Sequence, residues 1–227
     1  MWYESRVEVT SICVYKEGVT MKRYLIECIG TFFLTLAISL TGNPIAIGLM
    51  LMAMIYVGGH VSGGHFNPAV SFSMFLEKRL SIHSLMHYWA AQSVGACVAL
   101  CVFMAITSNM FVPEMAPGAS IVLAAGIEAM FTMVFCWVIL NMALDQRYKQ
   151  ASLQPIVIGL TLMAVAFIGG LFNPAVAVGS LVCNVVKNGV MADMPTVVVY
   201  VVGPLVGAFA ASFLYNCFNN ENYMNIK

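Results

Sequence analysis

The sequence predicts an all-α membrane protein made of two inverted repeats, with six transmembrane helices and two re-entrant half-helices. Three observations carry this prediction. The 227 residues are 61% hydrophobic and only 9% charged, whereas soluble domains are about a quarter charged. The apolar runs fall into six long segments and two short ones. Each short segment opens on nearly the same eight residues, Gly63-Gly64-His65-Phe66-Asn67-Pro68-Ala69-Val70 and Gly169-Gly170-Leu171-Phe172-Asn173-Pro174-Ala175-Val176, which differ at one place.

In chain order, residues 1–20 are a polar tail without the apolar stretch of a signal peptide. It is either disordered or upstream of a natural start at Met21. The first span runs from Leu25 to about Leu40 and the second from Ile45 to Val57, with Thr41-Gly42-Asn43-Pro44 as a short turn between them. After the first box and a charged turn at 77–83, a third span covers Leu85 to Ile106. Residues 108–118 form a polar connector between the halves. The fourth span covers Ser120 to Ala143, and the fifth begins at Leu153-Gln154-Pro155. The second box, a turn at 187–195, a last span from Thr196 to Cys217 and a tail at 219–227 complete the chain. We therefore expect one channel domain over 21–227, with repeat one at 21–107 and repeat two at 119–218.

Each box has the grammar of a loop entering a helix. Paired glycines let the backbone bend, Asn can cap the helix, and Pro sits at the first helical position where its missing N–H costs nothing. The apolar run after Asn67 lasts only to about Phe75, and that after Asn173 fades by Asn184. About ten residues at 1.5 Å each reach roughly 15 Å, half of a hydrocarbon core about 30 Å thick. Two half-helices meeting at the midplane would bring two positive dipole ends and two Asn amides together, a place that repels cations.

Duplication extends beyond the boxes. Pro44–Ala53 matches Pro155–Ala164 at eight of ten places, Glu27 and Thr31 recur as Glu128 and Thr132, and Tyr88, Gly95 and Ala96 recur as Tyr200, Gly207 and Ala208. Three full spans in each half make the second half enter from the opposite face. Inverted repeats put the functional site at their interface, near the midplane.

These paired Asn-Pro-Ala boxes, in a duplicated apolar chain, resemble the signature of the major intrinsic proteins, the aquaporin and aquaglyceroporin channels. The resemblance covers Met21 to the C-terminus. It implies a right-handed bundle, a homotetramer with one pore per subunit, and passage of water or small neutral solutes such as glycerol, urea, ammonia or hydrogen peroxide. It implies pore asparagines and half-helix starts at Asn67, Pro68, Ala69, Asn173, Pro174 and Ala175, and loops lining the pathway at Gly64, His65, Phe66, Leu171 and Phe172. The filter positions fall on Ile47, Ala166, Gly170 and Val176. Most members carry Arg where this chain has Val176, and an aromatic residue and a His are absent as well, so the expected outer filter is wide and greasy. Gly159 precedes Asn173 by 14 residues whereas Gly48 precedes Asn67 by 19, a shortening that bears on the placement of Ala166.

Glu27 and Glu128 lie within apolar runs, where a carboxylate without partners costs about 2.5–3.5 kcal/mol. Their matched places favour bracing of the two loops, whose irregular backbone needs partners inside the protein; a proton relay is the alternative role. His60 and His65 have no neighbouring carboxylate or Cys pattern that suggests a metal, and are read as loop-packing and hydrogen-bonding groups. Gly95, Gly203 and Gly207 read as close helix contacts. The seven cysteines show no metal spacing and read as small core residues without a disulfide.

Basic residues sort by side. Arg6, Lys16, Lys22 and Arg23 precede the first span, Lys78 and Arg79 follow the first half-helix, Arg147 and Lys149 lie mid-chain and Lys227 ends it; only Lys187 falls elsewhere. This predicts that both termini, the 77–83 turn and the 145–152 loop lie in the cytoplasm; the resemblance adds the expectation of a multi-pass protein of the plasma (inner) membrane. Zero net charge offers no electrostatic case for nucleic acid. No Ser/His, Cys/His or paired-carboxylate set suggests an enzyme, and no cofactor is called for. The expected partners are membrane lipid, water or small neutral solutes and further copies of the chain. The competing function is an ion- or proton-coupled secondary transporter, which also uses inverted repeats and broken helices.

Overall fold

The computed structural model describes residues 17–115, 118–148, 153–189 and 194–219, and every regular element among them is helical. The helices are α1 (Glu17–Thr41), α2 (Pro44–Ser62), α3 (Pro68–Leu76), α4 (Ile82–Thr107), α5 (Ile121–Leu144), α6 (Gln154–Ala166), α7 (Pro174–Asn188), α8 (Met194–Val197) and α9 (Gly203–Asn219). Starts are capped where the sequence offers a small polar group: Asn43, Ser81 and Ser120 each accept a backbone N–H from the first turn that follows. A wide π-turn, Val198–Val202, joins α8 to α9. Pro204 explains it, because proline lacks the N–H and its ring collides with the carbonyl four residues earlier in a regular α-helix.

α1 begins at Glu17, so the end of the expected polar tail is helical. The tail as far as residue 16, Cys13, Pro117, Lys149 and residues 220–227 lie outside the described residues.

The inverted repeat appears in which helices touch. α1 packs on α2 and α4 just as α5 packs on α6 and α9; α4 meets α7 as α9 meets α3; and α2 meets α6 across the centre. The close contacts repeat too. A methyl added to Gly95 would lie 2.2 Å from the Cys28 carbonyl oxygen, and one on Gly207 would lie 2.2 Å from that of Ala129. Gly48 and Gly159 face each other where α2 crosses α6: a methyl added to Gly48 would lie 2.5 Å from the Gly159 carbonyl oxygen, and one on Gly159 would lie 2.7 Å from that of Gly48. Gly95→Ala and Gly207→Ala should therefore each lower stability by about 1–3 kcal/mol through overpacking. Gly126→Ala, whose methyl meets nothing within 4 Å, should not; thermal unfolding in detergent compares them, and equal melting points for all three would refute this packing account.

Five helices are long and apolar enough to cross a membrane, and α6 is not one of them. The expected fifth span is formed by this shorter apolar helix, with 13 residues against 19 in α2, a rise of about 20 Å. The five residues missing before the second box come out of the helix, not the loop. α2 runs to Ser62, just before Gly63-Gly64, whereas α6 stops at Ala166 and residues 167–172 cross the remaining distance as irregular chain.

Candidate functional site

The two boxes meet at the centre of the bundle. Asn67 and Asn173 are N-caps of α3 and α7, with Pro68 and Pro174 at the first helical position. Each amide oxygen accepts from its own helix, Asn67 Oδ1 from the Ala69 N–H at 2.9 Å and Asn173 Oδ1 from the Ala175 N–H at 3.1 Å. Each amide nitrogen donates across the repeat axis, Asn67 Nδ2 to the Phe172 carbonyl at 2.7 Å and Asn173 Nδ2 to the Phe66 carbonyl at 3.0 Å. A carboxamide has two N–H donors. One on each Asn is used by this exchange, and one is left at the centre.

The exchange depends on a strained residue in each loop. Phe66 and Phe172 precede the asparagines at φ 49° and 51°, a left-handed conformation that costs a bulky residue about 1–3 kcal/mol. It turns their carbonyls toward the opposite box. The rings supply the anchorage, since both are almost wholly buried. Phe66 fills the space over Gly30, where a methyl would come 2.2 Å from the ring, and Phe172 packs edge-on to Phe131 with centroids 6.2 Å apart.

Two buried carboxylates hold the loops, and they do so unequally. Glu27 accepts four hydrogen bonds: from Ser62 Oγ at 2.6 Å, the His65 N–H at 3.0 Å, the Phe66 N–H at 2.7 Å and Gln92 Nε2 at 2.8 Å. Around it, Tyr88 donates to the Ser62 carbonyl at 2.6 Å and Trp89 to the Pro68 carbonyl at 3.0 Å. Glu128 accepts two, from the Leu171 N–H at 2.6 Å and the Phe172 N–H at 2.8 Å. The sequence explains the difference. Ile168 stands just before Gly169-Gly170, where repeat one has Ser62 before its glycine pair, and Pro204 stands four residues after Tyr200, where repeat one has Gln92 after Tyr88. A cavity of about 260 Å³ lies beside Glu128, lined also by Glu114, Gly170 and Tyr200.

Both asparagines open onto a cavity of about 30 Å³. A water needs about 10–15 Å³ on this measure, so the space holds two or three. Ile47, Ala166 and Gly170 stand on its wall, with His65, Leu171 and Phe172. His65 also borders a larger cavity of about 290 Å³, shared with His60, Tyr56 and Gln154. Its ring is held by Ser71 Oγ at 3.1 Å from Nδ1 and by edge-on contact with Tyr88.

Val176 is the exception among the expected filter residues. It is fully buried against Ala124, Val199 and Tyr200 and is not on the wall of this cavity. The wall of this cavity is largely apolar. Leu34, Ile38, Leu51, Phe135 and Leu162 converge on it, and residue matching singled out none of them. The duplication held a signal for four, because Leu51 and Leu162 occupy equivalent places in the repeated Pro44 and Pro155 stretches, and Leu34 and Phe135 stand equally far after Glu27 and Glu128.

Among the described residues, no group of three or more His, Cys, Asp or Glu side chains is placed to hold a metal ion.

The family model for the major intrinsic proteins matches residues 35–215. The chain is 31% identical to the putative aquaporin NIP4-1 of Arabidopsis thaliana, over 91% of this chain and 78% of that one. It is 31% identical to the glycerol uptake facilitator protein-like 6 of Lactiplantibacillus plantarum, over 89% of this chain and all of the other. In fold it is similar to the aquaglyceroporin from Plasmodium falciparum, with a TM-score of 0.77 at 22% identity, covering 87% of this chain and 96% of that one.

Proposed function

The chain belongs to the major intrinsic protein family and is a passive membrane channel for water and small neutral solutes, not an enzyme; from that premise we propose that it selects at one narrow apolar passage centred on Asn67 and Asn173. The observation that carries this reading is the crossed pair of amide–carbonyl hydrogen bonds at the cavity. It holds both carboxamides rigidly and leaves each with a donor for the solute's oxygen. A solute accepting from both cannot at the same time pass a proton along an unbroken water file. The two facing helix N-termini oppose cations.

The cavity volume favours water over larger solutes. Aliphatic side chains form most of the wall, and few polar groups replace the hydration shell of a polyol. Glu27 and Glu128 brace the loops in this reading; their backbone and side-chain donors occupy both carboxylates, which disfavours a proton relay and with it a coupled transporter.

The basic residues Lys78 and Arg79 after α3 and Arg147 after α5 support a cytoplasmic placement of those turns and of both termini. The homotetramer and the plasma membrane rest on the family resemblance alone.

Stopped-flow light scattering on proteoliposomes tests the proposal. Water flux should exceed that of empty vesicles, stay linear in osmotic gradient and ignore sodium and proton gradients. Glycerol and urea should pass at least tenfold more slowly than water. Glycerol flux equal to water flux would reject the narrow apolar passage, and dependence on an ion gradient would restore the transporter reading.

A further inference from the structure

Repeat two leaves open a space that repeat one closes. In repeat one the Tyr88 hydroxyl donates to the Ser62 carbonyl at 2.6 Å, and Ser62 and Gln92 donate to Glu27. At the matching places Tyr200, Ile168 and Glu128 instead stand around the cavity of about 260 Å³. Tyr200 is only 5% exposed, and among the described residues its hydroxyl has no hydrogen-bond partner. Glu128, equally buried, accepts from the Leu171 and Phe172 N–H groups, and a carboxylate has about four acceptor places. It lies between the loop and α9. A methyl on Gly170 would come 2.9 Å from its Oε1, and one on Gly203, just after the π-turn that carries Tyr200, would come 3.1 Å from its Cβ.

Glu114 stands at the mouth. It belongs to the connector after α4, at the other end of that helix from Lys78 and Arg79, and it is exposed. The cavity thus opens toward water at the connector. No Lys, Arg or His is among the described residues that line it.

We propose that this cavity binds a small organic monocation, a primary alkylammonium, with Glu128 and Tyr200 as its buried ligands and Glu114 at its mouth. An ammonium head carries three N–H donors and no acceptor. The two carboxylates and the phenol oxygen of Tyr200 supply the acceptors, while Ile127, Ile168 and Val199 give the alkyl chain an apolar wall. Size and ligand number decide against a bare metal ion. One water needs about 10–15 Å³ on the same measure, so about 260 Å³ takes a molecule of several heavy atoms. A hard divalent cation such as calcium wants six or more oxygens close around it, and only Glu114, Glu128 and Tyr200 bring side-chain oxygens to this wall. The site is distinct from the central cavity, with which it shares Gly170.

Calorimetric titration of the purified full chain in detergent with n-propylammonium tests the site. The heat should saturate at one cation per chain, and the melting temperature should rise with cation concentration, because a ligand of the folded state stabilises it. Tyr200→Phe keeps the ring and should weaken binding about tenfold, the size of one hydrogen bond to a charged group. Glu114→Gln should weaken it less, since that carboxylate is exposed to water. Two comparators separate the recognition elements: 1-propanol has the chain without the charge, and tetramethylammonium has the charge without N–H donors. Each should bind several-fold more weakly than n-propylammonium. Absence of saturable binding would overturn the site, as would equal affinity for either comparator or for sodium. Native affinity in Tyr200→Phe would overturn it too, and because that variant leaves the Glu128 hydrogen bonds to the loop in place, the test does not depend on whether Glu128→Gln folds.

Discussion

Glu27→Leu should leave little folded protein, while Glu128→Leu should fold at reduced stability. The first removes the acceptor for four buried donors, the second for two. Each buried donor left unpaired costs about 1–3 kcal/mol, against a total stability that is commonly about 5–15 kcal/mol. The surroundings widen the gap. Repeat one is closed around Glu27 by Tyr88, Gln92 and Ser62, whereas a cavity of about 260 Å³ beside Glu128 can admit water to the freed amides. Glu27→Gln keeps one carbonyl acceptor in nearly the same shape and should fall between Glu27→Leu and the native protein. Yield after detergent extraction and thermal unfolding rank the variants; equal losses for Glu27→Leu and Glu128→Leu would contradict unequal bracing.

The double change Asn67→Asp and Asn173→Asp should turn the passage into a cation leak. Aspartate keeps the N-cap, accepting the Ala69 and Ala175 N–H groups as asparagine does. It cannot donate to the Phe172 and Phe66 carbonyls, now 2.7 and 3.0 Å away, so two ionised oxygens would face two carbonyl oxygens at the centre. The positive helix ends that oppose cations are then partly cancelled. Planar-bilayer conductance for sodium or potassium should rise above background. A control with both asparagines changed to alanine adds no charge and should lower water flux without conducting ions. A well-folded Asp pair at background conductance would refute the electrostatic account.

Much of this was legible in the residues. The Gly-Gly and Asn-Pro patterns specify a bend, a cap and a helix start through interactions within a few residues, and those starts appear at Pro68 and Pro174. Duplication located the matched carboxylates and the close contacts at Gly95 and Gly207. The shortening before Asn173 was legible as a count, yet not as a shape. Whether five missing residues leave the loop or the helix depends on where the far end of the chain must arrive, which is set by the partner box across the axis.

The filter was the least legible part. Matching position by position placed Val176 at the opening; in the structure it is buried with Tyr200 and Val199, off the wall of the central cavity. The central cavity is lined by Leu34, Ile38, Leu51, Phe135 and Leu162. These are ordinary apolar residues in apolar helices, and composition cannot distinguish those facing the passage from those facing lipid. Helix rotation decides it, and rotation follows from contacts such as Gly48 against Gly159.

By itself, then, the sequence determined the membrane class, the inverted repeat, the two facing half-helices and the pair of asparagines between them, because each is encoded by local backbone chemistry or by repetition along the chain. Only the tertiary structure decided which side chains line the central cavity and the unequal support of the two loops. Those depend on which surfaces come together when helices distant in the chain pack. Volumes and unpaired donors arise at such contacts, not within any one segment.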